Sequence, residues 1–580
     1  MTSSENTLFM IMFAFGVLMG LVFLVYVIRQ AFGKDSGEIG GWELRGSSQR
    51  IAAIARTTLA EGMRARVGAG FAVMIVVAIP IFWFTSEGDG TIKGKLQMFL
   101  SYSLGFTGFC LSLLTIFFSC RSLSVEIASR QIYSIVSKPI PRWQIIAGKW
   151  LGVMVLNLLL LVVATVATYG GARGILFGFR QELRHELETY GGLTPTQAAE
   201  TVFAMGNVSG IGKAGTESPI ITAMCQALNR STDQVAEMLL RLPEQSRVNL
   251  RRFDEIRRQV LLARAALPVE VPDLSDEVLR QYQKLKDAGE LPTDWTDARI
   301  RRQIRSALTA QYCTVPPGPQ NSRQWRVKGP PPVKGRDVIM SIRFKLNAPG
   351  YVPPREIQGQ MLEENTLLCA WGFGDPKKAE FANTLEPYPV NTNYELEIPS
   401  SCVEDDGTVI ISFANLDPRR NDLNIDLPNR GLEVLYRVGS FETGIAQAAL
   451  AILIPIAGLA SFGVCASTFL SFPVGTLIVL TLFVISSSMG FVADALAATK
   501  DYIGPNVTWD FEVRRLTVDA INWALAIGDL DPVSQVIEGR AVGWSALWDG
   551  CWRFVLLKGM AVFAIAVIVI RRREMAAVIV

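Results

Sequence analysis

The run MFLSYSLGFTGFCLSLLTIFFSC at residues 98–120 contains no charged side chain and decides the kind of fold. About 20 helical residues cross about 30 Å of hydrocarbon, so a run of this length is typical of a membrane-spanning helix. Similar runs recur towards both ends of the 580-residue chain, which predicts an α-helical polytopic membrane protein. We count seven spans: Leu8–Ile28, Gly70–Phe84, Met98–Cys120, Lys149–Tyr169, Thr443–Cys465, Pro473–Ala497 and Trp544–Ile570.

Basic side chains are concentrated in three segments that flank these spans. They are Arg29, Lys34, Arg45, Arg50, Arg56, Arg64 and Arg66 before the second span, Arg121, Arg130, Lys138 and Arg142 before the fourth, and Arg571, Arg572 and Arg573 after the last. Short segments rich in Lys and Arg stay in the cytoplasm. We therefore expect an inner-membrane protein with its N-terminus outside and its C-terminus in the cytoplasm. The first span is expected to be a retained helix, since Met1–Thr7 has no Lys or Arg.

A large polar insertion separates the fourth and fifth spans and is predicted to lie outside the cytoplasm. Its first part, residues 171–315, has helical apolar spacing, for example in Gln181–Tyr190 and Arg247–Ala266. A Pro-rich linker is predicted at residues 316–335, and residues 336–442 contain short runs of alternating apolar and polar residues. The prediction is a large external α+β insertion that ends in a small antiparallel β-sandwich.

The other boundaries follow from the spans. Residues 1–30 form an extra N-terminal transmembrane helix, residues 70–170 the first transmembrane half and residues 443–580 the second. Residues 31–69 are a cytoplasmic linker that contains Gln49–Arg66, where apolar residues alternate with Arg at helical spacing. Such a basic amphipathic helix is predicted to lie in the plane of the membrane surface.

Composition argues against several functional classes. The net charge of +3 gives no indication of nucleic-acid binding. Because His185 is the sole histidine, neither a His-based triad nor a metal cluster is expected. No G-x-x-x-x-G-K-[ST] motif occurs, so the chain has no P-loop of its own. We therefore expect no catalytic residue, no metal and no cofactor. Four cysteines of the insertion could form disulfides, but the sequence does not fix their pairing: Cys225, Cys313, Cys369 and Cys402.

The segment between the third and fourth spans has the sharpest pattern. Val125–Ser137 is predicted to be a short helix that Pro139 and Pro141 end, because proline interrupts helical hydrogen bonding. Arg142 and Trp143 follow at the point where the chain re-enters the membrane, as interfacial anchors do. A basic re-entry loop, as found in any membrane protein, is the alternative interpretation.

This segment resembles the ABC-2 type permeases, particularly the branch that contains the nitrous-oxide-reductase-maturation and gliding-motility permeases. The matching positions are Glu126, Arg130, Lys138, Pro139, Arg142, Gly148 and Lys149. The resemblance implies that residues 124–142 form a coupling helix that docks on a separate P-loop ATPase subunit, which binds the ATP. It also implies pairing with a second permease, as a homodimer or heterodimer, and it makes Gln49–Arg66 the elbow helix of the family. Glu126 and Arg130 are four residues apart and are predicted to share one helix face.

Two features inside the spans have alternative interpretations. Small residues repeat along the third span, and they either pack helices closely or line a translocation path: Ser101, Gly105, Gly108, Ser112 and Thr115. Lys558 in the last span either snorkels outward, forms a pair or lines the path.

The leading hypothesis is the permease subunit of an ATP-driven ABC exporter embedded in the lipid bilayer. One alternative is an ATP-driven mechanical or scaffold complex that acts through the insertion without moving a solute. Another is a membrane-anchored binding module whose sandwich holds a periplasmic protein or a carbohydrate. The sequence identifies neither the substrate nor the direction of transport.

Overall fold

The computed structural model describes residues 47–64, 66–88, 92–131, 140–207, 219–243, 260–269, 274–289, 297–329, 340–348, 366–376, 381–404, 406–416, 423–427, 432–503, 513, 517 and 532–572. The chain divides into two compact units. The helical unit comprises Met1–Ala198, Leu240–Ala263 and Gly439–Val580, and the β unit comprises Ala199–Leu239 and Arg264–Val438.

The elements are numbered here in chain order. The helices are α1 (Ser47–Arg64), α2 (Arg66–Thr85), α3 (Ile92–Ala128), α4 (Arg142–Thr189), α5 (Pro195–Asn207), α6 (Pro219–Leu228), α7 (Thr232–Leu240), α8 (Ser275–Asp287), α9 (Asp297–Cys313), α10 (Phe441–Phe469), α11 (Phe472–Ile503), α12 (Pro532–Ile537), α13 (Trp544–Gly550) and α14 (Met560–Arg572). A π-helical turn, Cys551–Gly559, joins α13 to α14. The strands are β1 (Leu262–Pro268), β2 (Thr314–Val315), β3 (Arg323–Lys328), β4 (Met340–Lys345), β5 (Thr366–Phe373), β6 (Ala382–Pro389), β7 (Asn393–Ile398), β8 (Thr408–Asn415), β9 (Ile425–Asp426) and β10 (Leu432–Ser440).

Within the described residues, five helices are long and apolar enough to cross a membrane. They are Gly68–Thr85, Ile92–Ala128, Arg142–Thr189, Phe441–Phe469 and Trp544–Ile570, the last of which we call the last membrane helix. They confirm the prediction of a mostly helical, polytopic membrane protein.

Two of the seven predicted spans are not among these five helices. Leu8–Ile28 lies outside the described residues. Pro473–Ala497 lies within α11, whose stretch Phe472–Ser488 is apolar among the described residues. The count of seven therefore stays a prediction.

The fourth span differs from its prediction. A span at Lys149–Tyr169 and a separate helix at Gln181–Tyr190 were expected, but α4 runs without interruption over 48 residues. At about 1.5 Å per residue it is about 72 Å long, more than twice the hydrocarbon thickness. No proline interrupts it, and several of its glycines lie in close contact with neighbouring helices. A Cβ atom on Gly171 would lie 2.4 Å from the Phe99 ring of α3.

The core of the helical unit lies between α3, α4 and α10. Leu100, Leu111 and Leu114 of α3 are fully buried there. Some of the contacts are too close for a larger side chain. A Cβ atom on Gly463 of α10 would lie 1.8 Å from the Ser119 Oγ of α3. Close approach through small residues is the usual means by which membrane helices associate, because lipid is as apolar as the side chains themselves.

The β unit contains two four-stranded sheets that share one core. Their strand orders are β1-β10-β4-β7 and β3-β8-β5-β6. The pairs β10–β4, β4–β7, β3–β8, β5–β8 and β5–β6 are antiparallel. Trp371 of β5 is fully buried between Phe344 of β4, with ring centroids 4.5 Å apart, and Phe413 of β8, at 4.6 Å. The Phe344 contact joins the two sheets, in agreement with the predicted antiparallel sandwich.

The sheets begin earlier in the sequence than predicted. Arg247–Ala266 was expected to be helical, but Leu262–Pro268 is a strand, because β1 pairs with β10 far along the chain. The predicted linker at 316–335 contains β3, whose Trp325 and Val327 are buried while Arg326 between them is exposed. Tertiary pairing thus overrides the local helical and linker patterns.

A polar cluster is buried against the first sheet. Arg264 of β1 donates to the carboxylate of Glu395 on β7 and, at 3.2 Å, to the Oγ of Ser341 on β4. The Ser341 hydroxyl donates in turn to the Glu395 Oε1 at 2.6 Å. The Arg264 side chain is 3 % exposed, so its charge is compensated within the fold, as a buried guanidinium requires.

Candidate ATPase-coupling site

The predicted elbow helix packs directly on the start of α4. Gly148 and Gly152 lie one turn apart on the face of α4 that meets α1. A Cβ atom on Gly148 would lie 2.6 Å from the Ile54 Cβ, and one on Gly152 would lie 2.7 Å from the Thr58 Cβ. Only glycine permits this approach, because any larger residue would force the two helices apart. The amphipathic helix predicted at Gln49–Arg66 thus forms as α1 and is fixed to α4.

A buried ionic cluster joins three helices beside this contact. Lys149 of α4 is 2 % exposed and donates to the carboxylate of Glu126 near the end of α3. The Lys149 Nζ also lies 3.9 Å from the Glu61 Oε2 of α1. The Glu126 side chain is 15 % exposed and that of Glu61 is 36 % exposed. The Oε2 of Glu126 is buried and has no hydrogen-bond partner among the described residues. Lys149 therefore holds α1, α3 and α4 together with one charge.

The last membrane helix reaches the same end of the helical unit. The Arg142 Nη1 donates to the backbone carbonyl of Ile570 at 2.6 Å. A cation at a helix C-terminus is favourable, because the last carbonyls lack partners within the helix. The predicted cytoplasmic ends of α3, α4 and the last membrane helix thus meet, in agreement with the predicted positions of the basic segments.

The predicted pair of Glu126 and Arg130 does not share a helix. The α3 helix ends at Ala128, and Ser129–Gln131 form a turn in which Arg130 has a φ of +60°. The expected helix at Val125–Ser137 is therefore wrong over Ser129–Gln131, and Glu126 belongs to the membrane helix itself. Arg130 is exposed, whereas the partner of Glu126 is Lys149.

The predicted coupling residues fall into two groups. Glu126, Arg142, Gly148 and Lys149 make contacts within the chain, whereas Arg130 is exposed. Lys138 and Pro139 lie outside the described residues. Docking of this segment on an ATPase stays a prediction.

Sequence reasoning missed Glu61. It lies in α1, 88 positions from Lys149, and its spacing from the basic residues of α1 gives no hint of the pair. The available signal was Gly148 and Gly152, four residues apart with Lys149 between them. That pattern indicates a close helix partner and a charge that needs a counter-charge.

Most small residues of the third span face neighbouring helices or their own backbone. Ser112 and Thr115 are buried and donate to carbonyl oxygens four residues earlier, at 2.8 and 2.7 Å. A Cβ atom on Gly108 would lie 3.6 Å from Ile452 of α10, whereas one on Gly105 would meet no atom within 4 Å. Ser101 is half-buried. Gly108, Ser112 and Thr115 thus lie in packed surroundings, and the alternative of a translocation path stays untested. The Lys558 Nζ lies 4.9 Å from the centroid of the Phe554 ring.

Two groups of the β unit have pKa values shifted by their surroundings. Burial raises the pKa of Tyr388 in the sandwich core to about 12. Hydrogen bonds from Thr408 lower the pKa of Asp406 in a surface turn. Among the described residues no group of His, Cys, Asp and Glu could hold a metal ion.

Comparison with known proteins identifies the class. Residues 6–225 match the family model described as ABC-2 family transporter protein. No curated protein and no solved structure matches the chain. The match covers less than half of the 580 residues, but it includes α1 to α4 and every member of the ionic cluster. Residues 6–225 thus match the ABC-2 transporter family, as the resemblance predicted, and the match supports a permease subunit of an ABC transporter. The narrower branch stays a prediction.

Proposed function

We propose that the chain is the membrane-spanning permease subunit of an ABC exporter, driven by a separate P-loop ATPase. The observation that carries this proposal is the Glu61–Lys149–Glu126 cluster within the ABC-2 region. It ties the amphipathic α1 to both membrane helices that flank the predicted docking segment. The ATP belongs to the partner, and two permeases pair around the path.

The geometry supports a mechanical role for this cluster. A push on the segment between α3 and α4 acts on Glu126 and Arg142, which lie at its two edges. Lys149 transmits the displacement to α1, and Arg142 transmits it to the last membrane helix through Ile570. Buried ion pairs hold their geometry because separating them leaves an uncompensated charge away from water. The four helices would therefore move as one body when the ATPase closes.

The test uses variants that separate assembly from coupling. Lys149→Met leaves two acidic side chains without their counter-charge, and breaking a buried pair costs about 3–5 kcal/mol. We expect this single variant to reach the membrane poorly. The double variant Lys149→Met/Glu126→Leu removes both buried charges and should restore the membrane level. Arg130→Ala is the comparison variant, because it removes a charge from the exposed turn after α3 and not from the buried cluster.

The measurements are membrane level, co-purification with the ATPase and permease-stimulated ATP hydrolysis. The double variant should bind the ATPase but stimulate hydrolysis weakly, because the link through Lys149 is gone. Arg130→Ala should keep its membrane level and lose co-purification. Normal coupling in the double variant would show that the cluster serves stability alone. Normal co-purification of Arg130→Ala would instead favour the interpretation of the segment between α3 and α4 as a basic re-entry loop.

The β unit favours a second candidate function. It has its own aromatic core, which a simple permease does not need. An ATP-driven complex could use this unit to act on an external protein or carbohydrate without moving a solute. Replacing Arg264–Val438 with a short linker distinguishes the two, since a pure transporter should retain ATP-dependent substrate movement.

A further inference from the structure

A lateral cavity of about 340 Å³ opens in the helical unit. Three helices line it with almost exclusively apolar side chains: Met154 from α4, Leu450 and Ala457 from α10, and Trp544, Trp548 and Cys551 from the last membrane helix. All three helices are among those able to cross a membrane. The cavity therefore faces hydrocarbon rather than water.

The length of the cavity matches one leaflet. Its lining on the last membrane helix runs from Trp544 to Val555, eleven residues apart. At about 1.5 Å per residue this is at most about 16 Å. The hydrocarbon core is about 30 Å thick, so the cavity spans roughly half of it.

The two ends of the cavity differ. Trp544 and Trp548 are 66 % and 69 % exposed at one end, as expected for tryptophans at the headgroup level. Towards the other end, the Trp150 Nε1 donates to the Ala457 carbonyl at 3.1 Å and joins α4 to α10. The cavity is thus open at the interfacial end and bounded near the middle of the membrane.

We propose that this cavity is a binding site for one acyl chain of a membrane lipid from the leaflet at the Trp544 end. The headgroup lies beside the exposed tryptophans, and the chain lies along α10 with its end near Ala457. A second copy of the chain fits less well, because a packed helix would cover both leaflets rather than half of the thickness. The lining includes none of the residues of the proposed coupling cluster, although Met154 lies five residues after Lys149 on α4.

The experiment uses the intact protein in bilayers that contain a phospholipid with a diazirine in its acyl chain. Illumination and peptide mapping measure labelling of residues 450–457 and 544–555. Ala457→Phe fills the cavity from α10. Because Ala457 is buried, Cys551→Phe fills it from a partly exposed position as a second variant. Leu477→Phe on α11, where the side chain is 64 % exposed, is the matched control.

We expect labelling of both segments to saturate with the photoactivatable lipid and to fall when unlabelled long-chain lipid is added. Excluding two methylene groups corresponds to about a tenfold loss of affinity, so each cavity-filling variant should lose labelling by about that factor. Leu477→Phe should leave it unchanged. If labelling rises linearly with the concentration of the photoactivatable lipid, equals that of α11 and is unchanged in both variants, then the label comes from bulk lipid and the proposal is wrong. Absent labelling together with a Cys551–Cys551 disulfide between copies would overturn it in favour of a dimer contact.

Discussion

The two units of this protein are stabilised by different kinds of contact. In the helical unit, Gly148, Gly152 and Gly463 bring backbones together, and a lysine with two carboxylates joins three helices. In the β unit, the ring of Trp371 packs against Phe413 in its own sheet and against Phe344 in the facing sheet. Burying apolar area yields free energy only when the alternative is water. Helices that face lipid therefore depend on close fit and polar links, whereas the insertion depends on aromatic burial.

Removing the central aromatic residue should have the largest effect. Trp371→Ala removes a fully buried ring, and such a change typically costs about 3–5 kcal/mol. Pulse proteolysis of the intact protein across a urea series measures the loss through cleavage of residues 264–438. Leu385→Ala, whose side chain is 58 % exposed on β6, is the control and should change little. If α3 and α4 lose protection in parallel, the two units do not unfold separately. The conclusion that different contacts stabilise the two units would then be wrong.

Elements set by local sequence properties could be predicted, whereas elements set by contacts between distant parts of the chain could not. The runs at Gly70–Phe84 and Met98–Cys120 each lie inside a candidate span, because hydropathy is a local property. The separate helix predicted at Gln181–Tyr190 was wrong, since α4 continues past Tyr169 where hydropathy falls but hydrogen bonding does not. The strand β1 was missed because Leu262–Pro268 is rich in helix-forming residues, and its partner lies more than 150 positions later.

The candidate site was predictable in its location but not in its contacts. The resemblance to the ABC-2 permeases singled out Glu126, Gly148 and Lys149 individually, and the residue pattern predicted the amphipathic helix before the second span. The sequence could not show that these features touch, because Glu61, Glu126 and Lys149 lie on three different helices. Local spacing paired Glu126 with Arg130, four residues later, whereas its partner in the structure is Lys149 on another helix.

A smaller loss of stability is expected when a glycine of the helical unit that lies against a neighbouring helix is replaced, and none when the glycine has free space around it. Gly152→Ala places a methyl group 2.7 Å from the Thr58 Cβ and 2.8 Å from the Ala55 carbonyl oxygen. Such overpacking typically costs about 1–3 kcal/mol. Gly105→Ala meets no atom within 4 Å and should be neutral or stabilising by up to about 1 kcal/mol, because alanine favours the helix. Thermal unfolding in detergent measures both variants. Equal Tm values would mean that close approach of α1 and α4 is not what holds them together.

The smallest effect concerns a surface carboxylate of the β unit and depends on pH. The Thr408 backbone N–H donates to the Asp406 Oδ1 at 2.9 Å and the Thr408 hydroxyl to its Oδ2 at 2.8 Å, which lowers the pKa of Asp406. A carboxyl whose pKa is lower in the folded state stabilises the protein above its unfolded pKa, about 3.9, and loses that contribution as pH falls through the folded value. Asp406→Asn should therefore lower the Tm slightly at neutral pH, and the difference from the unsubstituted protein should disappear well below pH 4. Glu386→Gln, an exposed change on β6, controls for the loss of a negative charge. A difference that persists unchanged at low pH would assign the effect to the neutral hydrogen bonds of the turn. Because this turn is solvent-exposed, the charge of Asp406 should contribute far less to the stability of the β unit than the buried ring of Trp371, in keeping with a unit that depends on aromatic burial.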